Sequence, residues 1–283
     1  MVIDDANGFA SLEREGQMRF FTSALVSVAA IIGSGSMAAA DFAAGARALK
    51  AGDHVAAVKE WTPLADKGNA EAQLGLAMLY MAGRGVPKDA AKAVEWFRKA
   101  AEQDNRDAQA MMAMAYRKGL GVAADAGQAA SWYHKAAEAG STAAQTSLGY
   151  MYAKGEGVGQ DFAKAREWYE RAARQGEVAA AYSLGEVYRE GLGVSKDPAA
   201  AAKWYQAAAD KGYAKAQTAL GSLYVLGSGL PQDFQTAYFW YELAVRRGNA
   251  VALKARDELE PHLDAQQLFE ARRMAREWKA PVD

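Results

Sequence analysis

The chain contains no cysteine, only three histidines and six prolines, and no surplus of charge of either sign. Without cysteine there can be no disulfide, no thiolate nucleophile and no thiolate metal site, so stability has to come from packing. With 33 basic and 34 acidic residues the formal charge is -1. No positive excess is available to neutralise a phosphate backbone, and nucleic acid is not an expected partner. His54, His134 and His262 fall in different parts of the chain. Neither H-E-x-x-H, G-x-S-x-G nor a Gly-Lys phosphate loop occurs, so no catalytic residue, metal or cofactor is predicted. What the chain does have is 51% hydrophobic residues, ample for a sizeable core.

The apolar material starts early. From Met18 the sequence runs Met-Arg-Phe-Phe-Thr, then an apolar stretch from Phe20 to Ile32, small residues to Ser36, and Ala38-Ala39-Ala40 before Asp41. That order reads as a secretory signal peptide over 18–40 with an A-x-A cleavage site. The 13 residues from Phe20 to Ile32, ten of them apolar, would extend about 20 Å as a helix, short of the roughly 30 Å of a bilayer core, so no stable membrane span is expected once the leader is removed. Residues 1–17 carry Asp4, Asp5, Glu13 and Glu15 and fit poorly as the positive region ahead of an export segment. The expectation is a non-native or disordered extension over 1–17, translation from Met18, and a mature protein exported to a bacterial periplasm.

Beyond that point the sequence repeats itself with a period of 36 residues. Trp96, Trp132, Trp168, Trp204 and Trp240 keep this spacing without insertion, as do Tyr80, Tyr116, Tyr152, Tyr188 and Tyr224. Glycines at 83, 119, 155, 191 and 227 and again at 85, 121, 157, 193 and 229 hold register, and so do aspartates at 89, 125, 161, 197 and 233. Five copies over 70–249 follow, each read as two helices. In the first helix Ala72, Leu76, Leu79 and Tyr80 recur at i, i+4, i+7 and i+8 after Asn69 as N-cap. Gly83 suits the left-handed residue that ends it, Gly85 lets the chain turn, and Asp89 caps the second helix. There Ala93, Trp96, Phe97, Ala100 and Ala101 form one apolar face. The spacing predicts large aromatics packed against repeated small alanines, with neighbouring copies stacking because no pair can bury its stripe alone. Residues 41–69, with Trp61 and Gly68, read as a degenerate leading copy. Residues 250–283 read as C-terminal capping helices, with Leu268, Ala271, Ala275 and Trp278 turned inward and Tyr238, Phe239 and Leu243 beneath them.

The block Ala-x-x-x-Leu-Gly-x-x-Tyr-x-x-Gly-x-Gly-Val-x-x-Asp-x-x-x-Ala-x-x-Trp-Tyr-x-x-Ala-Ala-x-x-Gly, legible from Ala144 to Gly176, resembles the Sel1-like repeat, a relative of the tetratricopeptide repeat. The resemblance implies an all-α, right-handed α-solenoid of stacked helix-turn-helix units whose first helices line a concave groove. Departures are small: Ala77 and Ala113 replace glycine, Leu230 replaces valine and Val245 replaces the second alanine.

With the repeated residues assigned to packing, specificity is expected where equivalent positions differ between copies. On the first helices these are Leu74, Met78 and Met81, then Ala110, Met114 and Arg117, then Thr146, Tyr150 and Ala153, then Tyr182, Glu186 and Arg189, and last Thr218, Ser222 and Val225. Met78, Met114, Arg117, Tyr150, Tyr182, Glu186 and Arg189 are the expected partner-binding residues, since methionine adapts and tyrosine and arginine anchor. The resemblance implies a non-catalytic scaffold or adaptor, with regulation of envelope signalling among its family's roles. Two other readings stand beside it: a secreted hydrolase of β-lactamase or peptidoglycan-active type, against which the missing S-x-x-K motif weighs, and a self-associating structural envelope protein.

Overall fold

A computed structural model describes residues 37–280, with side chains from Phe42 onward. The expected extension over 1–17 and the expected leader up to residue 36 lie outside the described residues. Among the described residues there are 14 α-helices, one 3-10 turn and no strand. The chain divides between Gln160 and Asp161 into two compact units. The first holds α1 (Met37–Lys50), α2 (His54–Asp66), α3 (Ala70–Ala82), α4 (Ala90–Ala101), α5 (Arg106–Lys118), α6 (Ala126–Glu138) and α7 (Thr142–Lys154). The second holds α8 (Phe162–Arg174), α9 (Val178–Glu190), α10 (Pro198–Asp210), α11 (Ala214–Leu226), α12 (Phe234–Arg246), α13 (Ala250–Leu259), the 3-10 turn Glu260–His262 and α14 (Ala265–Glu277). Within each unit successive helices pack on one another, and α14 returns onto α12. This is the α-solenoid of stacked helix pairs.

Local chemistry sets most of the boundaries. Asp89, Asp125, Asp161, Asp197 and Asp233 each accept a hydrogen bond from the backbone N–H three residues on, at 2.9–3.0 Å. The same aspartates donate their own backbone N–H groups to the preceding helix where these bonds lie in one unit, as from Asp125 to Tyr116 O at 2.9 Å. Gly83, Gly119, Gly155, Gly191 and Gly227 end the first helices with φ between 64° and 71°.

The second glycine of each loop does more than turn the chain. A Cβ on Gly121 would overlap the carbonyl oxygen of Ala90, the first residue of the preceding copy's second helix, and Gly85 and Gly157 stand in the same way over His54 and Ala126. The loop thus docks backbone to backbone on the copy before it.

The core alternates large and small. The alanines at 72, 108, 144, 180 and 216 and at 93, 129, 165, 201 and 237 have no exposed surface. The deepest repeated aromatics are the residues after the tryptophans, Phe97, Tyr133, Tyr169, Tyr205 and Tyr241, all buried. The tryptophans stand nearer the rim: Trp96, Trp168 and Trp240 are buried, whereas Trp132 and Trp204 are half-buried. In three copies a cation lies over the indole, Lys99 at 4.1 Å, Lys135 at 4.3 Å and Arg171 at 4.5 Å from the centroid.

The leading helix pair starts at Met37, four residues ahead of the expected boundary, through a run of alanines with high helix propensity. Its Trp61 is fully buried, stacks on Phe42 at 5.5 Å, donates to the Phe42 carbonyl at 3.2 Å, and lies so close to Gly75 that a Cβ there would meet the ring at 2.6 Å. At the other end Ala271 and Ala275 of α14 are buried in the cluster that holds Tyr238, Phe239 and Leu243. The Tyr238 hydroxyl donates to Glu260 Oε2 at 2.9 Å, and Arg272 bonds both Tyr238, at 3.0 Å, and Glu260, at 2.8 Å.

Candidate protein-binding face

The first helices carry their variable residues on one side. In the first unit α3, α5 and α7 present this face. Met78 does not belong to its surface: it is 2% exposed and lies in the apolar cluster of Phe42, Trp61 and Leu74. Leu74 and Ala110 are buried too. The reason is polarity and cover. Where later copies carry polar or hydroxyl-bearing residues, the first copies carry apolar ones, and Leu74 and Met78 on α3 join the cluster of Phe42 and Trp61 from the leading helix pair. The expectation of an exposed Met78 is therefore corrected, and the accessible row of the first unit begins at the half-buried Met81 and continues with Met114, Arg117 and Tyr150.

Arg117 is held rather than loose. Its Nε and Nη2 meet Glu156 Oε1 and Oε2 at 2.8 and 3.1 Å, and its guanidinium lies 5.1 Å from the centre of the Tyr150 ring. Arg117 belongs to α5, Glu156 to the loop after α7 and Tyr150 to α7, so this bidentate pair ties one copy to the next along the face. The Arg117 side chain is only 14% exposed.

In the second unit α9 and α11 present the equivalent face. The Glu186 carboxylate accepts a short hydrogen bond from the buried Tyr205 hydroxyl and an ion pair from Arg189 Nη2 at 2.5 Å. Arg189 also donates to the Tyr205 oxygen at 3.2 Å and pairs with Glu190 at 2.5 Å. Burial, and the Glu186 carboxylate beside it, push the Tyr205 hydroxyl far above the ordinary tyrosine range, so it remains a donor. Tyr182 packs against Tyr205 at 5.6 Å and edge-on to Tyr213 at 5.4 Å. One copy on, Ser222 and the Tyr241 hydroxyl lie 3.0 Å apart. Tyr205 and Tyr241, each one place after a tryptophan, thus turn their hydroxyls to the first helix of their own copy and fix its variable side chains.

Two features escaped the sequence reading. One is that hydroxyl row, whose polar end is invisible while Tyr205 and Tyr241 are counted only as core. The other is a strap: buried Gln73, Gln109, Gln145 and Gln217 donate to the carbonyls of Ala65, Ala101, Ala137 and Ala209 at 3.0, 3.3, 3.0 and 3.1 Å. Each strap joins a first helix to the end of the preceding helix. The signal was present, a glutamine after the repeated alanine at 72, 108, 144 and 216.

Among the described residues no group of His, Asp and Glu could hold a metal ion, and no helix is long and apolar enough to cross a membrane.

None of the curated proteins compared matches this chain. Among solved structures it is similar to a Sel1 repeat protein from Oxalobacter formigenes, with 32% identity and a TM-score of 0.73 over 84% of this chain and 97% of that one. It is also similar to a protective antigen of uropathogenic Escherichia coli strains that displays an SLR fold, with 32% identity and a TM-score of 0.78. That match covers 89% of this chain but 56% of the antigen. The Sel1 repeat model matches at 70–105, 106–141, 142–177, 178–213 and 214–249, the same five copies that the tryptophan spacing marks out. The chain belongs to the Sel1 repeat family.

Proposed function

We propose that this protein is a non-catalytic scaffold or adaptor that holds a segment of another protein on the variable face of its first helices. Sel1 repeat proteins generally mediate protein–protein interactions. The observation that carries the reading to this face is the contrast between constant and variable positions. The second-helix aspartate caps, loop glycines and core alanines recur in every copy, whereas one geometrical position carries Met114, Tyr150, Glu186 and Ser222 in turn. Of these, Tyr150, Glu186 and Ser222 are partly exposed and already held by Arg117, Tyr205 and Tyr241, which limits the ordering cost of binding. The sequence over 18–40, read as an export leader, supports a bacterial periplasmic location and, with it, an envelope-regulatory role. Intact-mass measurement of protein purified from the periplasm tests the location: a chain starting near Asp41 supports it, and an unprocessed cytoplasmic chain refutes it.

Binding is tested by crosslinking capture from the native cell envelope with the unaltered protein and with Tyr150→Ala, Tyr182→Ala and Arg189→Ala combined, once circular dichroism shows the fold intact. The proposal expects a partner captured by the first and lost with the second. Equal capture by both removes the face from consideration.

A further inference from the structure

The joints between successive helix pairs are not equal, and the difference collects at one of them. Of the first helices in the five copies, α9 alone lacks the glutamine strap: Ala181 stands where Gln73, Gln109, Gln145 and Gln217 stand elsewhere. Its N-cap is weak as well, although α11 has no side-chain cap at all at Tyr213. Glu177 accepts from Ala179 N at 3.4 Å, two residues on, whereas Asn69 and Asn105 accept from the third residue on at 2.8 and 3.0 Å. The loop after α9 docks less closely as well. A Cβ on Gly193 would meet the Phe162 Cβ at 2.8 Å and no backbone atom of α8 nearer than 3.3 Å, whereas Gly85, Gly121, Gly157 and Gly229 would overlap backbone carbonyl groups outright.

We infer that the joint between α8 and α9 is a built-in weak joint of the array, the place where the helix carrying Tyr182, Glu186 and Arg189 parts from α8. In a repeat array stability is a sum of unit terms and nearest-neighbour terms, so a joint deficient in strap, cap and loop contact at once opens ahead of its neighbours. The consequence is a face whose second-unit residues can shift as a block with α9 and α10 while the ion pairs within the block stay made. This inference stands whatever occupies the face.

Amide hydrogen exchange on the full chain tests it. In the unaltered protein the amides of Ala181 to Leu184 should exchange faster than their equivalents in α5, α7 and α11. Ala181→Gln supplies the missing strap to the Ala173 carbonyl and should slow them about five-fold, the worth of one net buried hydrogen bond. Gln217→Ala removes the strap from α11 and should speed that helix toward the rate of α9, which keeps the test alive if the longer side chain at 181 disturbs packing. Equal exchange in all four helices of the unaltered protein overturns the inference. So does an α11 that is unmoved by Gln217→Ala.

Discussion

Two loop glycines with the same backbone conformation should respond very differently to a methyl group. Gly119 has φ 66° and Gly121 has φ 73°. An alanine at either costs about 1–2 kcal/mol for a left-handed backbone. At Gly119 the added Cβ meets nothing nearer than 3.5 Å, so that cost is the whole effect. At Gly121 the Cβ falls on the Ala90 carbonyl, a backbone atom capped into α4, so the loop must lift off the preceding copy at a further cost of about 1–3 kcal/mol. Gly121→Ala should therefore destabilise by about 2–5 kcal/mol and Gly119→Ala by about 1–2 kcal/mol. Urea unfolding followed by circular dichroism reads both as shifts of midpoint at unchanged slope. If the two variants cost the same, the backbone-to-backbone docking of the loop is not what the glycine serves.

The straps, the ion pair on the face and the cap each make a further prediction. Gln145→Ala leaves the buried Ala137 carbonyl without its side-chain donor and should cost about 1–3 kcal/mol in the same unfolding assay, against under about 0.5 kcal/mol for the exposed Lys154→Ala. A double-mutant cycle on Arg117 and Glu156 should give a coupling of about 1 kcal/mol that shrinks with added salt; zero coupling at low salt would show the pair to be incidental. Hydrogen bonds from Tyr238 and Arg272 hold the Glu260 carboxylate below the ordinary carboxylate range. A depressed pKa contributes stability that is full above the unfolded-state value and is lost as pH falls through the folded-state value. Unfolding of the C-terminal cap, followed by hydrogen exchange of α14, should thus become easier as pH drops below about 4, and Glu260→Gln should remove that part of the acid dependence.

Much of this architecture is legible in the chain because its determinants are local and repeated. Trp96 to Trp240 mark the period, Asp89 and its equivalents mark helix starts, and Gly83 and its equivalents mark helix ends; each acts within four residues of its place in sequence. What the sequence hides is what depends on a neighbouring copy. Gly85 looks like a turn residue until His54 is seen beneath it, and Gln73 looks like a polar surface residue until the Ala65 carbonyl is found above it. The binding face shows the same divide. The proposed residues can be picked out by their phase on the first helices, but the ties of Arg117 to Glu156 and of Glu186 to Tyr205 could not be read from spacing. Met78 was misplaced because a residue in the right phase of a helix is still buried when the copy before it supplies a Trp61 and a Phe42.

The central claim, that the variable first-helix face holds another protein, is tested most directly by position. A photo-crosslinking amino acid is placed singly at Met114, Tyr150 and Glu186 on that face, and at Glu95, Glu167 and Lys203 on the exposed outer side of the second helices. The account predicts one crosslinked species from the first three positions and none from the second three. The same species captured from Glu95, Glu167 or Lys203, with Met114, Tyr150 and Glu186 silent, would contradict it.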